Sequence, residues 1–272
     1  PQALPAHQMS KLPISVCLIS GAEAQRLGRT LESVAGWTSE IVVVLNENVR
    51  DGTEEVARRH GAKVFREPWK GYVAQKNSAA QKATQEWLLG LDADEVVSPE
   101  LRQEIQSLFA AGDNLEPFAA FSFPRLTLFC GRWIRHGDWY PDRGTRLWRR
   151  RRAEWAGGHI HEKLQVNGPT GKLRGNLLHY NATRIDEQLA KISLYSDAFV
   201  LDALEQRRRS SWFDLAIRPG WRFLRAYFFR LGFLDGWQGL IIAQLTAFYT
   251  FLRYAKAREA QAQVSSKPAD GR

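Results

Sequence analysis

Uninterrupted apolar runs alternate with helically spaced apolar residues over the first part of this chain. The runs Ile14–Ser20 and Glu40–Leu45 predict buried strands, and a shorter run at Gly61–Phe65 predicts a third. Leu27, Leu31 and Val34 recur at helical spacing after the first strand, and a further helix is predicted from about Tyr72 to Thr84. This alternation extends from residue 14 to about residue 111. It predicts an α/β fold with a mostly parallel sheet and right-handed crossovers.

The pattern changes after Phe118. The run Ala119–Phe123 predicts one more strand, and a helix is predicted at about Asp186–Glu205. Between them, the stretch Cys130–Gly158 is rich in arginine, tryptophan and glycine and has no clear period. Long irregular stretches in compact domains are often binding loops, so we expect irregular binding loops here.

The C-terminal part has a basic amphipathic pattern. Trp221, Leu224, Phe228 and Leu231 form one apolar stripe, and we expect the arginines at 218, 222 and 225 to lie opposite it. Residues 236–252 follow without a charge, and this run is shorter than the roughly 20 residues that cross a bilayer. We favour an interfacial or partner-packing segment over a membrane-spanning helix. A pair of core helices in the same domain is the alternative.

The composition adds a strong positive charge. The formal net charge is +9, the pI is about 9.8, and ten tryptophans are present. An anionic partner is therefore expected: nucleic acid, acidic lipid or a phosphorylated substrate. Only Cys17 and Cys130 are present, which favours a reducing compartment, and no signal-peptide pattern is visible. A Gly-x-Gly-x-x-Gly fingerprint after the first strand and a P-loop are both missing.

Two carboxylates one residue apart are the strongest chemical signal. Asp92 and Asp94 belong to the segment Leu91–Glu95, which follows the apolar run Trp87–Gly90 at a strand end where α/β sheets bind ligands. Such a pair can hold a hard divalent cation against phosphate oxygens. The alternative is a solvated acidic turn before the next helix, whose start is signalled by Ser98 and Pro99.

An ordered set of motifs resembles glycosyltransferase family 2, and within it the bacterial lipopolysaccharide inner-core glucosyltransferases. The resemblance extends from about Leu12 to Ala257. The segments that carry it are Pro13–Ser20 with Glu23, Glu40–Leu45 with Asp51-Gly52-Thr53, Gly71–Asn77, Leu91–Glu95, Trp139–Arg143, His161-Glu162, His179-Tyr180, Phe233–Gly236 and Gly239-Leu240.

The resemblance implies a GT-A fold, a Rossmann-like nucleotide-binding sheet, with a helical amphipathic C-terminal extension. A domain over 12–210 would comprise a nucleotide-sugar half (12–117) and an acceptor half (118–210). Membrane-associating helices would follow over 211–258, with flexible tails at 1–11 and 259–272. It also implies inversion at the anomeric carbon, a nucleotide-sugar donor, and Mg²⁺ or Mn²⁺ as cofactor.

The resemblance also assigns roles to individual residues. Asp92 would contact the ribose or share in metal binding, while Asp94 and His179 would hold the metal, unless His179 is only structural. Lys76 would reach the diphosphate as a point charge, or else lie on the surface. The residues Ser20, Glu23, Asn46 and Glu47 would bind the nucleotide-sugar.

A single displacement needs one general base for the acceptor hydroxyl. Glu162 is our choice for this base, and Asp142 is the rival. Alternatively, Glu162 is paired only with Lys163 or a nearby arginine.

The chain departs from the family pattern twice. Ala22-Glu23 replaces the usual Asn-Glu, and Leu45-Asn46-Glu47-Asn48 replaces Asp-Ser-Gly-Ser with an apparent one-residue insertion. Uridine is the family default, and Asn46 or Glu47 could hydrogen-bond in place of the absent aspartate. The altered loop also motivates an alternative function, in which a GT-A-like domain has lost transfer and only binds carbohydrate or nucleotide.

The sequence therefore predicts a metal-dependent, inverting hexosyltransferase with a UDP-hexose donor such as UDP-glucose. Its acceptor would be a lipid-linked saccharide such as lipopolysaccharide core, and it would lie peripherally on the cytoplasmic face of a bacterial inner membrane. The run Arg149–Arg152 fits a phosphorylated glycolipid or a solvated loop better than nucleic acid, because no nucleic-acid-binding motif accompanies it. Sugar, linkage and oligomeric state stay open.

Overall fold

A computed structural model of the chain describes residues 11–112, 115–157, 162–182, 184–206 and 210–266. By contacts among these residues, the chain forms two compact units. The first takes residues up to Arg125 together with Arg143–His179, and the second takes Leu126–Asp142 and the residues from Tyr180 onward. The functional division that we expect at residues 117 and 210 stays a prediction.

Strands and helices alternate along the first hundred residues as predicted. The elements are β1 (Leu12–Ser20), α1 (Ala24–Ala35), β2 (Thr38–Asn46), α2 (Thr53–Arg59), β3 (Lys63–Glu67), α3 (Tyr72–Lys82), β4 (Trp87–Leu91), β5 (Glu95–Val97) and α4 (Pro99–Ala110). β1 pairs in parallel with β2 and β4, and β2 pairs in parallel with β3, which gives the order β3-β2-β1-β4. The predicted parallel sheet is confirmed.

Burial explains why these segments fold as they do. Most of β1 and β2 is buried, as expected for central parallel strands covered on both faces. Leu27, Leu31 and Val34 on α1 are fully buried against the sheet. Ser98 caps α4, since its Oγ accepts the N–H of Leu101 at 3.1 Å.

The rest of the sheet is mixed. The remaining strands of the chain are β6 (Ala120–Phe129), β7 (Arg132–Trp133), β8 (Asp142–Arg149), β9 (Ala153–Gly157), β10 (Glu162–Val166), β11 (Thr170–Lys172) and β12 (Leu177–Ala182). β8 pairs antiparallel with β4, and the order continues β8-β6-β12-β5. β7 and β11 each pair with β6, while β9 and β10 form a separate hairpin.

The stretch Cys130–Gly158, expected to be irregular, contains β7, β8, β9 and a 3₁₀ turn over Gly137–Trp139. That expectation was wrong. In β8, arginines recur at every third position from Arg143 to Arg149, and this spacing hides the two-residue period of a strand.

Helices form most of the C-terminal part. They are α5 (Ile185–Glu205), α6 (Trp212–Leu224), a π-helical turn (Arg225–Phe229), a 3₁₀ turn (Gly232–Asp235) and α7 (Gly236–Ser266). α7 packs against both α5 and α6 and continues beyond residue 258, where we expected the helical segment to end. Among the described helices, none combines the length and apolarity that crossing a bilayer needs.

Candidate active site

The carboxyl ends of three parallel strands carry the candidate site. Ser20 of β1 is in register with Leu45 of β2, and Leu18 is in register with Leu91 of β4. The residues that follow these ends, including Asp92, therefore lie along one edge of the sheet. Ligands of open α/β sheets bind at such edges.

The first nucleotide-binding candidates have mostly local contacts. The Ser20 hydroxyl donates to the Gly21 carbonyl at 3.0 Å. Asn46 ends β2, and its Oδ1 accepts the N–H of Asn48 at 3.3 Å. Glu47 is exposed. These side chains stand at the expected strand ends.

Asp51 links the starts of α1 and α2. Its carboxylate accepts hydrogen bonds from the N–H of Ala24 at 3.2 Å and from the N–H of Thr53 at 3.1 Å. The Thr53 hydroxyl also donates to Asp51 and in turn accepts the N–H of Glu23 at 2.9 Å. Glu23 is thereby fixed at the start of α1, near the carboxyl end of β1.

Asp92 is held by two cations. Arg146 of β8 donates to Asp92 Oδ2 at 2.8 Å and to Oε1 of the fully buried Glu95 at 2.9 Å. Burial alone would raise the pKa of Asp92, but the charges of Arg146 and Lys76 outweigh it and hold the pKa far below its usual range. The Asp92 side chain is thus an ion-paired carboxylate, and Ser98 rather than the acidic pair caps α4.

Lys76 joins Asp92 to the candidate base. Its Nζ lies 3.1 Å from Asp92 Oδ1 and 2.9 Å from Glu162 Oε1, and its side chain is only 8% exposed. The same ammonium group lies 4.7 Å from the ring centroid of Trp155. The alternative that Lys76 lies on the surface is therefore wrong. The alternative that Glu162 pairs only with Lys163 or an arginine is wrong as well.

Strand pairing explains how these residues meet. Leu147 of β8 lies opposite Leu89 of β4, so Arg146 stands near the carboxyl end of β4. Glu162 lies opposite Gly157 in the β9–β10 hairpin. Asn77 of α3 fixes that hairpin through two hydrogen bonds with the Trp155 backbone, at 2.8 and 2.9 Å.

Gly90 leaves space for the rings of Trp148 and Trp155, which pack beside the candidate site. A Cβ at this position would lie 2.9 Å from the Trp148 ring and 3.4 Å from the Trp155 ring. The two tryptophan rings meet edge to face, with centroids 5.9 Å apart. A glycine in β4 therefore lets Trp155 reach its place beside Lys76.

Asp94 meets His179 through the pairing of β5 with β12. His179 lies opposite Glu95 in this antiparallel pair, and its Nε2 lies 3.5 Å from Asp94 Oδ2. Burial raises the pKa of Asp94, but the hydrogen bond and charge of His179 outweigh burial and lower it.

The Asp94–His179 pair can contribute to a cation site. Within the described ranges, no three His, Cys, Asp or Glu side chains cluster closely enough to hold a metal ion by themselves. Mg²⁺ is usually bound by one or two carboxylates together with water and substrate phosphates, and carboxylate ligands also suit Mn²⁺. The pair therefore fits a cation shared with a phosphorylated ligand.

Two other candidates differ in their surroundings. Asp142 is exposed at the start of β8 and belongs to the second compact unit. His161, which precedes Glu162, lies outside the described residues.

The run Arg149–Arg152 lies at the other end of the sheet, because Arg149 is opposite Trp87 at the start of β4. It lines a cavity of about 550 Å³ that none of the candidate site residues borders.

Sequence reasoning missed Arg146, Glu95 and Trp155. Arg146 stood in the stretch without clear period, so nothing placed it on a strand beside β4. In the sequence, the one signal for these residues was that Glu95 directly follows the acidic pair. The structure shows that Glu95 is 0% exposed. A fully buried carboxylate needs cationic partners, and Arg146 at 2.9 Å and Arg125 at 3.5 Å have that role for Glu95.

The carboxyl-end edge of this parallel sheet, with its ion-paired carboxylates and a separate Asp–His pair, suits a ligand that carries phosphate groups. The family model "Glycosyl transferase family 2" matches residues 15–163. An uncharacterized glycosyltransferase of Rickettsia prowazekii is 34% identical over 90% of this chain and 87% of its own length. The chain therefore belongs to glycosyltransferase family 2.

Two further proteins refine this comparison. The lipopolysaccharide core biosynthesis glycosyltransferase LpsC of Rhizobium meliloti is 31% identical over 90% of this chain and 92% of its own length. The mannosyltransferase PcManGT from Pyrobaculum calidifontis, solved in complex with GDP-Man and Mn²⁺, superposes with a TM-score of 0.50. It is 14% identical, and the match covers 96% of this chain and 78% of the other. The predicted GT-A fold is confirmed.

Proposed function

We propose that this family 2 glycosyltransferase inverts the anomeric centre as it moves a hexose from a nucleotide-sugar to a lipid-linked saccharide. UDP-glucose is our first choice of donor, and lipopolysaccharide core is our first choice of acceptor. The similarity to LpsC supports the choice of acceptor. The reaction would take place at the cytoplasmic face of a bacterial inner membrane.

One observation carries the proposal: Lys76 contacts both Asp92 and Glu162. Asp92 follows the strand end where the nucleotide would bind, and Glu162 is the candidate base for the acceptor. A transferase must bring these two functions together. A domain that only binds a nucleotide does not need a carboxylate at the second position.

The chain's own residues would act as follows. Lys76 and Arg146 would neutralise charge on the donor side of the site, where negative charge develops on the departing diphosphate. Glu162 would accept the proton of the acceptor hydroxyl as that oxygen attacks the anomeric carbon.

Asp94 and His179 would hold the divalent cation, with Asp92 oriented towards the ribose. When bound, Mg²⁺ or Mn²⁺ supplies positive charge that stabilises the diphosphate leaving group. Ser20, Glu23, Asn46 and Glu47 would line the nucleotide side. Because the loop at residues 45–48 departs from the family pattern, uridine nucleotides are tested first and other nucleotides are tested after them.

The test measures sugar transfer and donor hydrolysis with a panel of nucleotide-sugars, with and without Mn²⁺. We expect one donor to support turnover, and Asp94→Ala to abolish it. Glu100→Ala, which removes an exposed carboxylate on α4, is the matched control and should keep activity. Unchanged turnover in Asp94→Ala would remove Asp94 from the mechanism.

The shift in melting temperature on adding a nucleotide-sugar, measured on the same samples, distinguishes a transferase from a protein that only binds the ligand. A binding-only protein would be stabilised by a nucleotide-sugar yet turn over none of them. Turnover with a soluble saccharide acceptor alone would contradict the lipid-linked part of the proposal while leaving transferase activity intact.

A further inference from the structure

The helices after residue 210 expose large apolar side chains along continuous stripes. On α6 and the π-helical turn, Phe213, Ile217, Trp221, Leu224 and Phe228 follow one another at intervals of three or four residues. They therefore lie on one helical face. Each is between 45% and 57% exposed. This apolar face is turned towards solvent and not towards the protein core.

α7 repeats the arrangement. Trp237, Leu240, Phe248 and Phe251 recur at helical spacing, and each is between 40% and 56% exposed. α6 and α7 pack against each other, so each helix buries one side in the pair and still exposes an apolar stripe. Soluble monomers rarely expose this much contiguous apolar surface without a partner.

Three partly exposed arginines of α6, the π-helical turn and the residue after it pair with one buried aspartate and so fix the orientation of this segment. Arg222, Arg225 and Arg230 lie 3.1, 3.0 and 3.4 Å from the carboxylate of Asp138, whose side chain is 6% exposed. Sequence periodicity correctly places the apolar and basic residues on different faces. It does not reveal that the basic face is the one that docks on the protein.

The positive charge of residues 211–258 favours an anionic partner. Residues 211–258 contain seven lysines and arginines and two aspartates. The two aspartates, Asp214 and Asp235, are 8% and 2% exposed, so they offer little negative charge to a partner. Arg222 and Arg230 remain 37% and 43% exposed beside the apolar stripe. A surface with exposed tryptophans and phenylalanines beside arginines matches an anionic lipid interface.

We propose that the exposed stripes of α6 and α7 bind a bilayer that contains anionic phospholipid, with their aromatic rings inserted at the headgroup level. The helices would lie along the surface, since no described helix is suited to span a membrane. A symmetric dimer through the same face is disfavoured, because it would bring the same exposed arginines of both copies together. This inference rests on the membrane location in the proposed function. Vesicle binding is measured without donor or acceptor, so its failure would leave the transfer reaction itself untouched.

The first experiment is sedimentation of the full chain with phosphatidylcholine vesicles, with and without about 30% phosphatidylglycerol. We expect strong binding to the anionic vesicles, weakened by added salt, and little binding to the neutral ones. Trp221→Ser with Phe228→Ser should weaken binding about tenfold or more, because two large apolar side chains no longer enter the lipid. Trp69→Ser with Tyr72→Ser is the matched control, since those rings are 49% and 51% exposed on the first compact unit.

A second measurement uses a conservative change that preserves the fold. Brominated lipid quenches tryptophan fluorescence at short range, so Trp221→Phe should remove more of the quenchable signal than Trp69→Phe. Equal losses, or equal vesicle binding by the two double variants, would overturn the proposal. A dimer in sedimentation velocity that Trp221→Ser dissolves, without vesicle binding by the parent chain, would assign the face to a second copy instead.

Discussion

The Nζ atom of Lys76 lies 2.9 Å from Oε1 of Glu162, although the two residues are 86 positions apart. The same nitrogen contacts Asp92 at 3.1 Å. One cation therefore links the carboxylate assigned to the donor with the carboxylate assigned to the acceptor. A diphosphate that binds near Asp92 would compete for Lys76, and we expect it to loosen the hold of Lys76 on Glu162.

The first prediction concerns the base. Glu162→Gln should lower kcat about 10²–10⁴-fold, the usual range for loss of a general base, because the amide cannot take the acceptor proton. Donor affinity should change little, since Asp92, Asp94 and Arg146 remain. Steady-state kinetics and a nucleotide titration measure the two effects. Asp142→Asn is the companion variant. Loss of turnover in it, with normal turnover in Glu162→Gln, would move the assignment to Asp142.

The second prediction concerns the Arg146 clamp. Arg146→Met should lower the free energy of unfolding by about 1–3 kcal/mol, because Asp92 and the buried Glu95 lose this cation while Lys76 and Arg125 remain beside them. Urea denaturation measures the change. Arg151→Met, which removes an exposed arginine after the same strand, should stay within about 0.5 kcal/mol of the parent. Equal stability of the two variants would show that the clamp contributes nothing to folding.

The third prediction concerns Gly90. Gly90→Ala should destabilise the protein by about 1–3 kcal/mol, because the added methyl group would overlap the Trp148 ring at 2.9 Å. The affinity for the donor should also fall, because Trp155 packs on the Trp148 ring and contacts Lys76. Gly36→Ala is the control, because its Cβ would enter open space and its φ is −77°. A wild-type melting temperature for Gly90→Ala would contradict the packing argument.

The fourth prediction concerns pH and Glu40. Burial raises the pKa of Glu40, but hydrogen bonds from Lys63, Ser15 and Thr84 outweigh it and lower the pKa from 4.5 to about 2. The stabilisation from this depressed pKa is therefore present above about pH 4.5 and is lost as the pH falls towards 2.

Comparison of the parent chain with Glu40→Gln by urea denaturation measures this effect. The parent should be more stable by about 2–3 kcal/mol at neutral pH, and the difference should shrink by about half or more near pH 3. Glu116→Gln, at a side chain that is 83% exposed, should show no such trend. A difference between parent and Glu40→Gln that does not vary with pH would contradict the assignment.

The parallel half of the fold was predictable because β1, β2 and β4 are covered on both faces and so appear as unbroken apolar runs. β8 was not, because its arginines satisfy buried or partly buried carboxylates and carbonyls, and this need overrides strand alternation. Likewise, the acidic pair could be found from its place after β4. The contact of Lys76 with Glu162 depends on how α3 meets the β9–β10 hairpin, which no local pattern encodes.

The C-terminal helices illustrate another limit of sequence reasoning. Periodicity separates the stripe of Trp221 and Phe228 from the arginines, but it gives no direction relative to the rest of the fold. Asp138, far away in sequence, decides that direction by drawing three arginines towards itself. The orientation of such a helix is a tertiary property.

His179 reaches Asp94 only because β12 lies beside β5, and β5 has no second neighbour in the sheet order. The segment matched by the family model stops at residue 163, before β12 begins. A shortened chain cut at that limit would retain both aspartates but lose the imidazole and leave the last strand of the sheet without its hydrogen-bonded partner. Under the proposed role of His179, the smallest active fragment must therefore include β12, which lies beyond the segment that the family model matches.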